Sequence, residues 1–277
     1  MCESVPATIR VKQVALRALF ASVCAVMCAR LAYAETPIEV MLGAAESNLK
    51  AGKLPRAELM LKQAHASYPS DGRVDLDYGL LYAQREQAKE AIVAFNTAIA
   101  KNPELRDAYL NLALQNDVMK DYDGADAAYR AGTKRFPADL ELWSEWGTTL
   151  ILAKRYPEAE RALRQALPLT VHGPKGQDGQ VLSDLAYAVL QQKRAKEAVA
   201  LYERAFATGF SEADVRRQYG DALAASGELK RADHIYTELL AKQPTSHELL
   251  YRRAKVRHAL GDAPGAAADE AAMQQAQ

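Results

Sequence analysis

Small and large apolar residues recur along this chain on one ruler. Alanines stand at Ala57, Ala91, Ala125, Ala159, Ala198, Ala232 and Ala266, spaced by 34 residues except for one interval of 39. Taking each alanine as slot 20 of a 34-residue frame, the frames open at Ile38, Gly72, Arg106, Leu140, Gly179, Ala213 and His247. Slot 8 is then always Gly or Ala, at Ala45, Gly79, Ala113, Gly147, Ala186, Gly220 and Ala254. Bulky side chains take slot 7 (Tyr78, Leu112, Trp146, Leu185, Tyr219) and slot 24 (Leu61, Phe95, Tyr129, Leu163, Tyr202, Tyr236). Small residues let two helix backbones approach while large ones fill the space between them. Prolines at slot 32 (Pro69, Pro103, Pro137, Pro244) remove a backbone donor and stop a helix. Those at slot 18 (Pro55, Pro157, Pro264) suit the first turn of the next one. Each frame predicts a pair of helices. Seven frames predict an all-α solenoid in which every pair covers the apolar face of its neighbour, with no single globular core.

The long interval hides five extra residues, placed at 174–178 (Pro174-Lys175-Gly176-Gln177-Asp178) within a Gly- and Pro-rich stretch that reads as a loop. The expected organisation is an export segment at 1–34, a short lead at 35–37, four units over 38–173, the insertion, and three units with a C-terminal cap over 179–277. The insertion reads as a tolerated surface loop; a hinge or a partner-contacting loop is the sharper alternative.

The slots carry a family resemblance. Tyr78-Gly79, Tyr82, Ala91, Phe95, Ala98 and Pro103 resemble the Trp, Leu-Gly, Tyr, Ala, Phe, Ala and Pro pattern of the tetratricopeptide repeat, and the frame extends it from Ile38 to Gln277. The resemblance implies a right-handed superhelical solenoid of about seven helix pairs whose first helices line a concave groove. The last unit departs from the pattern with Arg253 and Arg257 at slots that are normally apolar, which is expected of a solubilising cap.

The first residues belong to no repeat. Arg10, Lys12 and Arg17 precede an uncharged stretch from Ala18 to Ala29, and Ala32-Tyr33-Ala34 follows. A basic, then apolar, then small-x-small order describes a secretory signal peptide cleaved after Ala34. A periplasmic location follows as the expectation, with an N-terminal anchor in the inner membrane as the alternative. Twelve apolar-leaning residues are few for a span, so no integral membrane segment is expected after cleavage. Cys2, Cys24 and Cys28 would leave with that segment, and neither Val23 nor Met27 is the small residue that lipidation of the following cysteine requires. The 35 basic residues balance 35 acidic ones, so charge supplies no argument for nucleic acid.

Catalytic and cofactor signatures fail one by one. Gly173, Gly176 and Gly179 follow no strand and lack the Gly-Lys-Ser/Thr element of a phosphate loop. Four residues after His247 stands Tyr251, so a zinc helix lacks its second ligand. The five histidines, His65, His172, His234, His247 and His258, show no ligand spacing and read as surface or packing residues. Acid pairs such as Asp121 with Asp123, or Asp139 with Glu141, sit at repeat turns and read as helix caps. No enzymatic activity, metal or cofactor is expected.

The resemblance places partner contacts at slots 2, 5, 6, 9, 12 and 13. These slots carry Glu39, Glu46, Asp77, Asp107, Asn111, Asp117, Glu141, Glu145, Asp184, Tyr187, Asp214 and Asp221 over six units, then Tyr251, Arg252 and Lys255 in the last. Their opposing cations are Lys50, Arg73 and Arg217. The groove is thus expected to be acidic for most of its length and basic at its C-terminal end, with its acids solvated. The family's clamp for a C-terminal carboxylate uses Lys and Asn at slots 5 and 9, whereas here Leu42 and Glu46, Leu76 and Leu80, then Leu110 and Leu114 stand there. A protein or peptide partner of basic or mixed apolar-basic character fits better. The expected role is an envelope scaffold for a pilus, secretion, outer-membrane or polysaccharide-export machine; a periplasmic chaperone-like binder is the alternative.

Overall fold

A computed structural model describes residues 37–172 and 176–275; the expected export segment and Pro174 and Lys175 of the expected loop lie outside the described residues. Fourteen α-helices and no strand occur among those described. They pair as α1 Ile38–Lys50 with α2 Leu54–Ser67, α3 Gly72–Gln84 with α4 Ala88–Lys101, and α5 Arg106–Val118 with α6 Tyr122–Arg135. After these come α7 Leu140–Leu152 with α8 Tyr156–Ala166 and α9 Gln177–Gln191 with α10 Ala195–Ala207. The last two pairs are α11 Ala213–Ser226 with α12 Leu229–Lys242 and α13 His247–Leu260 with α14 Ala263–Gln275. In six pairs the first helix opens on the residue that opens its sequence frame.

Local chemistry sets these boundaries. Asp121 and Asp139 accept hydrogen bonds from the backbone N–H of Gly124 and Leu142, satisfying donors that a helix N-terminus leaves open. Pro55 and Pro157 occupy first turns, and Pro69, Pro103, Pro137 and Pro244 each follow a second-helix end by two residues. Between the helices of each pair, slot 15 takes the left-handed conformation. Gly52, Gly227 and Gly261 do so in units one, six and seven, but Glu86, Lys120, Lys154 and Lys193 do so in units two to five.

Packing follows the ruler. All seven slot-20 alanines are fully buried, as are Leu61, Phe95, Tyr129, Leu163 and Tyr202 of slot 24. The small residue of slot 8 makes room for them: a Cβ added at Gly220 would lie 2.7 Å from the Tyr236 ring. Successive first helices approach one another and successive second helices do not, so the first helices form the inner, tighter side of an α-α superhelical solenoid. Along that inner side α5 and α7 approach least closely.

Two expectations are corrected. The 174–178 loop loses Gln177 and Asp178 to the first turn of α9, while α8 gives way after Ala166 to a 3-10 turn over Leu167–His172. The junction beside it is clamped: buried Glu160 of α8 accepts two bonds from Arg194 (2.9 and 2.8 Å) and one from Gln192 (2.7 Å), both from the turn before α10. That clip works against a hinge. Arg253 and Arg257, in turn, do not solubilise an end. They point inward to Asp269 of α14, at 2.5 and 3.2 Å, and that carboxylate is 2% exposed. This charged trio stands beside the apolar packing of Ala266, Ala272 and Met273 at the last helix.

Candidate functional site

The groove floor is built by one stripe of the first helices. Slot 6 runs Gly43, Asp77, Asn111, Glu145, Asp184, Gln218 and Arg252, because a 34-residue repeat returns the same helical face to the same side. From the second helices behind, the slot-24 tyrosines reach through toward this stripe. Their hydroxyls show how the floor changes along the solenoid.

At the N-terminal end Glu39 meets Arg73 at 3.4 Å and Glu46 meets Lys50 at 3.6 Å, both on exposed side chains. Asp77 is not solvated as expected. It is 4% exposed, its Oδ2 has no hydrogen-bond partner, and burial together with nearby Glu46 pushes its carboxyl up to about 7 against the pull of Arg73. Asn111 turns back to the Asp107 carbonyl at 2.8 Å.

Units three to five hold the acids that the slots predicted, under two different regimes. At the upper rim Arg106 binds Asp139 through two bonds (2.7 and 2.9 Å) and also reaches Asp107 (2.9 Å) and Glu141 (2.6 Å). This arginine stands at slot 1, outside the contact slots, and it compensates part of the expected acidity. Deeper, compensation ends. Asp117 accepts only the Thr149 hydroxyl, at 2.5 Å, and its buried Oδ1 is unpartnered. Glu145 is half-buried with no hydrogen-bond or ion-pair partner, which again corrects the expectation of a solvated acid. Burial first, then Glu141, Asp184 and Asp117, raises its carboxyl above the ordinary range. Burial lifts Asp184 to about 6 although the Gln180 amide donates to it at 3.0 Å. Beneath them the fully buried Tyr129 hydroxyl lies beside the Thr149 hydroxyl without a well-aligned hydrogen bond, and Asp117, Glu145 and Glu141 are the charges around it.

Units five to seven enclose a cavity of about 650 Å³ lined by α9, α11, α12 and α13, including Tyr187, Arg217, Asp221, Tyr251, Arg252 and Lys255. The floor here is internally closed. Tyr202 donates to Gln218 at 3.2 Å, and Tyr236 donates to Asp221 at 2.7 Å. Arg252 binds the same Asp221 oxygen at 2.5 Å and Glu248 at 2.8 Å, while Arg217 lies 3.3 Å from Glu248 and 3.8 Å from Asp214. The basic end is thus more nearly neutral than its residue types suggest. Lys255 keeps a free ammonium, and Tyr251 presents 61% of its surface.

Comparison with known proteins supplies the family. Two tetratricopeptide-repeat profiles match, over residues 42–106 and 139–209. The chain belongs to the tetratricopeptide-repeat family. Its sequence is 25% identical over 161 residues to the type IV pilus assembly protein PilF of Pseudomonas aeruginosa, a match covering 58% of this chain and 63% of that protein's length, so the chain spans less than two thirds of it. Among solved structures, PilW, described as a widely conserved type IV pilus biogenesis factor, superposes with a TM-score of 0.61 at 19% identity, covering 74% of this chain and 92% of that one. YrrB, described as a tetratricopeptide-repeat protein with an unusual peptide-binding site, superposes at 0.57 with 20% identity over 66% of this chain and 92% of its own. At these identities the structures establish the fold alone.

Within this tetratricopeptide-repeat chain, no group of three His, Cys, Asp or Glu among the described residues is arranged to hold a metal ion. No described helix is long and apolar enough to cross a membrane. The contact slots missed three participants of the groove: Arg106, Thr149 and the Tyr129 hydroxyl. The slot-24 tyrosines recur visibly in the frame and Arg106 does not, and where their polar ends point is set by partners some 16 to 35 residues away.

Proposed function

We propose that this protein is a non-catalytic interaction scaffold of the cell envelope, acting in type IV pilus assembly, and that its concave groove holds an extended segment of a partner protein. The observation that carries this reading is the sequence relationship to PilF. A groove floor with polar groups left uncompensated supports the binding mode, since a buried carboxylate without a counter-charge costs free energy that a ligand can recover. The slot residues Asp77, Asp117, Glu145, Asp184, Tyr187, Tyr251 and Lys255 are assigned to that contact. Export with cleavage after Ala34 places the scaffold in the periplasm, and the partner is of basic or mixed apolar-basic character.

Affinity purification from envelope extracts tests the assignment. A scaffold retains a few pilus-machine proteins in fixed stoichiometry; many substoichiometric unfolded clients would replace it with the chaperone reading. N-terminal sequencing of the purified protein should begin at Glu35, and an intact Met1 in the membrane fraction would overturn the export step.

A further inference from the structure

The closed part of the floor shows what the open part lacks. At Asp221 the chain completes a relay of three groups: the Arg252 guanidinium binds the carboxylate, and the carboxylate accepts the Tyr236 hydroxyl at 2.7 Å. The corresponding tyrosine of unit three, Tyr129, sits beneath Asp117 and Glu145 with none of its surface exposed, and its hydroxyl, beside that of Thr149, makes no well-aligned hydrogen bond and reaches no carboxylate. Among the described residues no arginine or lysine is paired with Asp117, Glu145 or Asp184. A cation brought to these carboxylates holds them ionised and oriented, and an ionised carboxylate is the acceptor that the Tyr129 hydroxyl requires.

We propose that the trough of Asp117, Glu145 and Asp184 receives guanidinium or ammonium groups borne on an extended partner segment, one cation per repeat, at every third residue of that segment. The inference rests on the groove-binding reading above. Its spacing is geometric. Packed helices lie about 8–10 Å apart, and Glu145 and Asp184 occupy the same slot on the adjacent first helices α7 and α9. An extended chain advances about 3.3–3.6 Å per residue, so three residues span about 10 Å. In a flat strand side chains three apart point to opposite faces, and those two apart, which share a face, advance only about 7 Å, so the match requires a segment that is not a flat strand. A three-residue period is that of the left-handed polyproline-type helix, at about 3.1 Å per residue, which brings every third side chain to one face.

The test uses the full chain and two fluorescein-labelled synthetic 12-residue peptides of one composition: arginine at every third position among prolines and serines, or the same arginines contiguous. Fluorescence anisotropy at low salt and pH 7.5 should show the periodic peptide bound at least tenfold more tightly than the contiguous one. The variant Glu145→Gln/Asp184→Asn, nearly isosteric, should weaken it at least tenfold while circular dichroism and melting hold. Tyr129→Phe, which keeps the ring and removes the hydroxyl, should weaken it about threefold. Equal affinity for the two peptides, or binding indifferent to the double variant, overturns the proposal. Should the double variant lose its fold, Glu145→Gln alone decides by the same criterion. If wild-type and double-variant chains capture the same envelope partners equally, the trough fails and the scaffold stands. If the periodic peptide binds as described but no pilus protein is captured, the trough stands and the pilus assignment fails.

Discussion

The groove floor of units three to five and that of units five to seven are made from the same slots and end in opposite electrostatic states. In the C-terminal stretch Arg217, Arg252, Asp221, Glu248, Gln218 and two tyrosine hydroxyls satisfy one another. In the middle Asp117, Glu145, Asp184 and Tyr129 stand over or in the floor without a cation. The difference teaches that slot identity does not fix a residue's role in a solenoid. An acid beside an arginine one repeat away is structural, and the same acid without it has no counter-charge within the described residues.

The largest test of that contrast removes acids of each kind. Asp269→Ala leaves Arg253 with only the Thr237 hydroxyl and Arg257 with Asp233, and should cost about 3 kcal/mol, unravelling the last pair first. Asp221→Ala should cost about 2 kcal/mol by orphaning the Tyr236 hydroxyl and leaving Arg252 to Glu248 alone. Glu145→Gln should cost nothing or stabilise. Denaturant melts that rank Glu145→Gln beside Asp221→Ala would erase the distinction between the two floors.

Smaller, and opposite in sign to the usual carboxylate behaviour, is the effect of pH. Asp77 holds its proton in the folded chain up to about 7, and Asp184 up to about 6, whereas both release it near 3.8 when unfolded. The folded state therefore binds more protons between those limits, so their contribution is most favourable below about 4 and declines as pH rises through 6 and 7. Paired acids such as Asp139, Asp126 and Glu160, whose carboxyls are lowered by Arg106, Trp146 with Arg130, and Arg194 against the effect of burial, contribute above the ordinary carboxylate range and lose that contribution in acid. The melting temperature should rise by a few degrees from pH 8 to about 5.5 and fall below 4. Asp77→Asn should stabilise by about 1–3 kcal/mol at pH 8 and, with Asp184→Asn, flatten the upper limb; an unaltered limb would place these carboxylates in water. Cation binding in the trough has the reverse dependence, because it needs the ionised form.

Much of the fold was legible because it is periodic. The slot-20 alanines, the slot-8 Gly or Ala and the prolines each place a backbone against a neighbour, and these constraints repeat in sequence. Six helix starts fall on the expected residue. The extension of α9 to Gln177 was hidden because Gly176 and Gly179 read as loop, yet Gly176 alone makes the turn, at φ 92°, and Gly179 packs within the helix. The site was legible as a set of acids and not as an arrangement. Burial of Asp77, the inward turn of Arg253 and Arg257 to Asp269, and the capture of Asp139 and Glu141 by Arg106 depend on neighbours brought together in space that no slot consensus contains.

The smallest prediction concerns the turns, where the same two regions differ again. Slot 15 is left-handed in every unit, with glycine at Gly227 and Gly261 of the C-terminal stretch and lysine at Lys120, Lys154 and Lys193 of the middle. A side chain in that conformation costs roughly 1–2 kcal/mol, while glycine loses about 0.5–1 kcal/mol of chain entropy on folding. Lysine there follows a helix C-terminus, where its charge returns roughly 0.3–1 kcal/mol. Lys154→Gly should thus stabilise by only about 0.5 kcal/mol. Gly227→Lys meets no steric neighbour, since nothing lies within 4 Å of an added Cβ, and should cost about 1 kcal/mol from the backbone alone. Paired denaturant melts of the two variants decide: shifts of opposite sign mean the middle turns carry strain that the C-terminal turns do not, and shifts of the same sign mean the local backbone is indifferent to which region it serves.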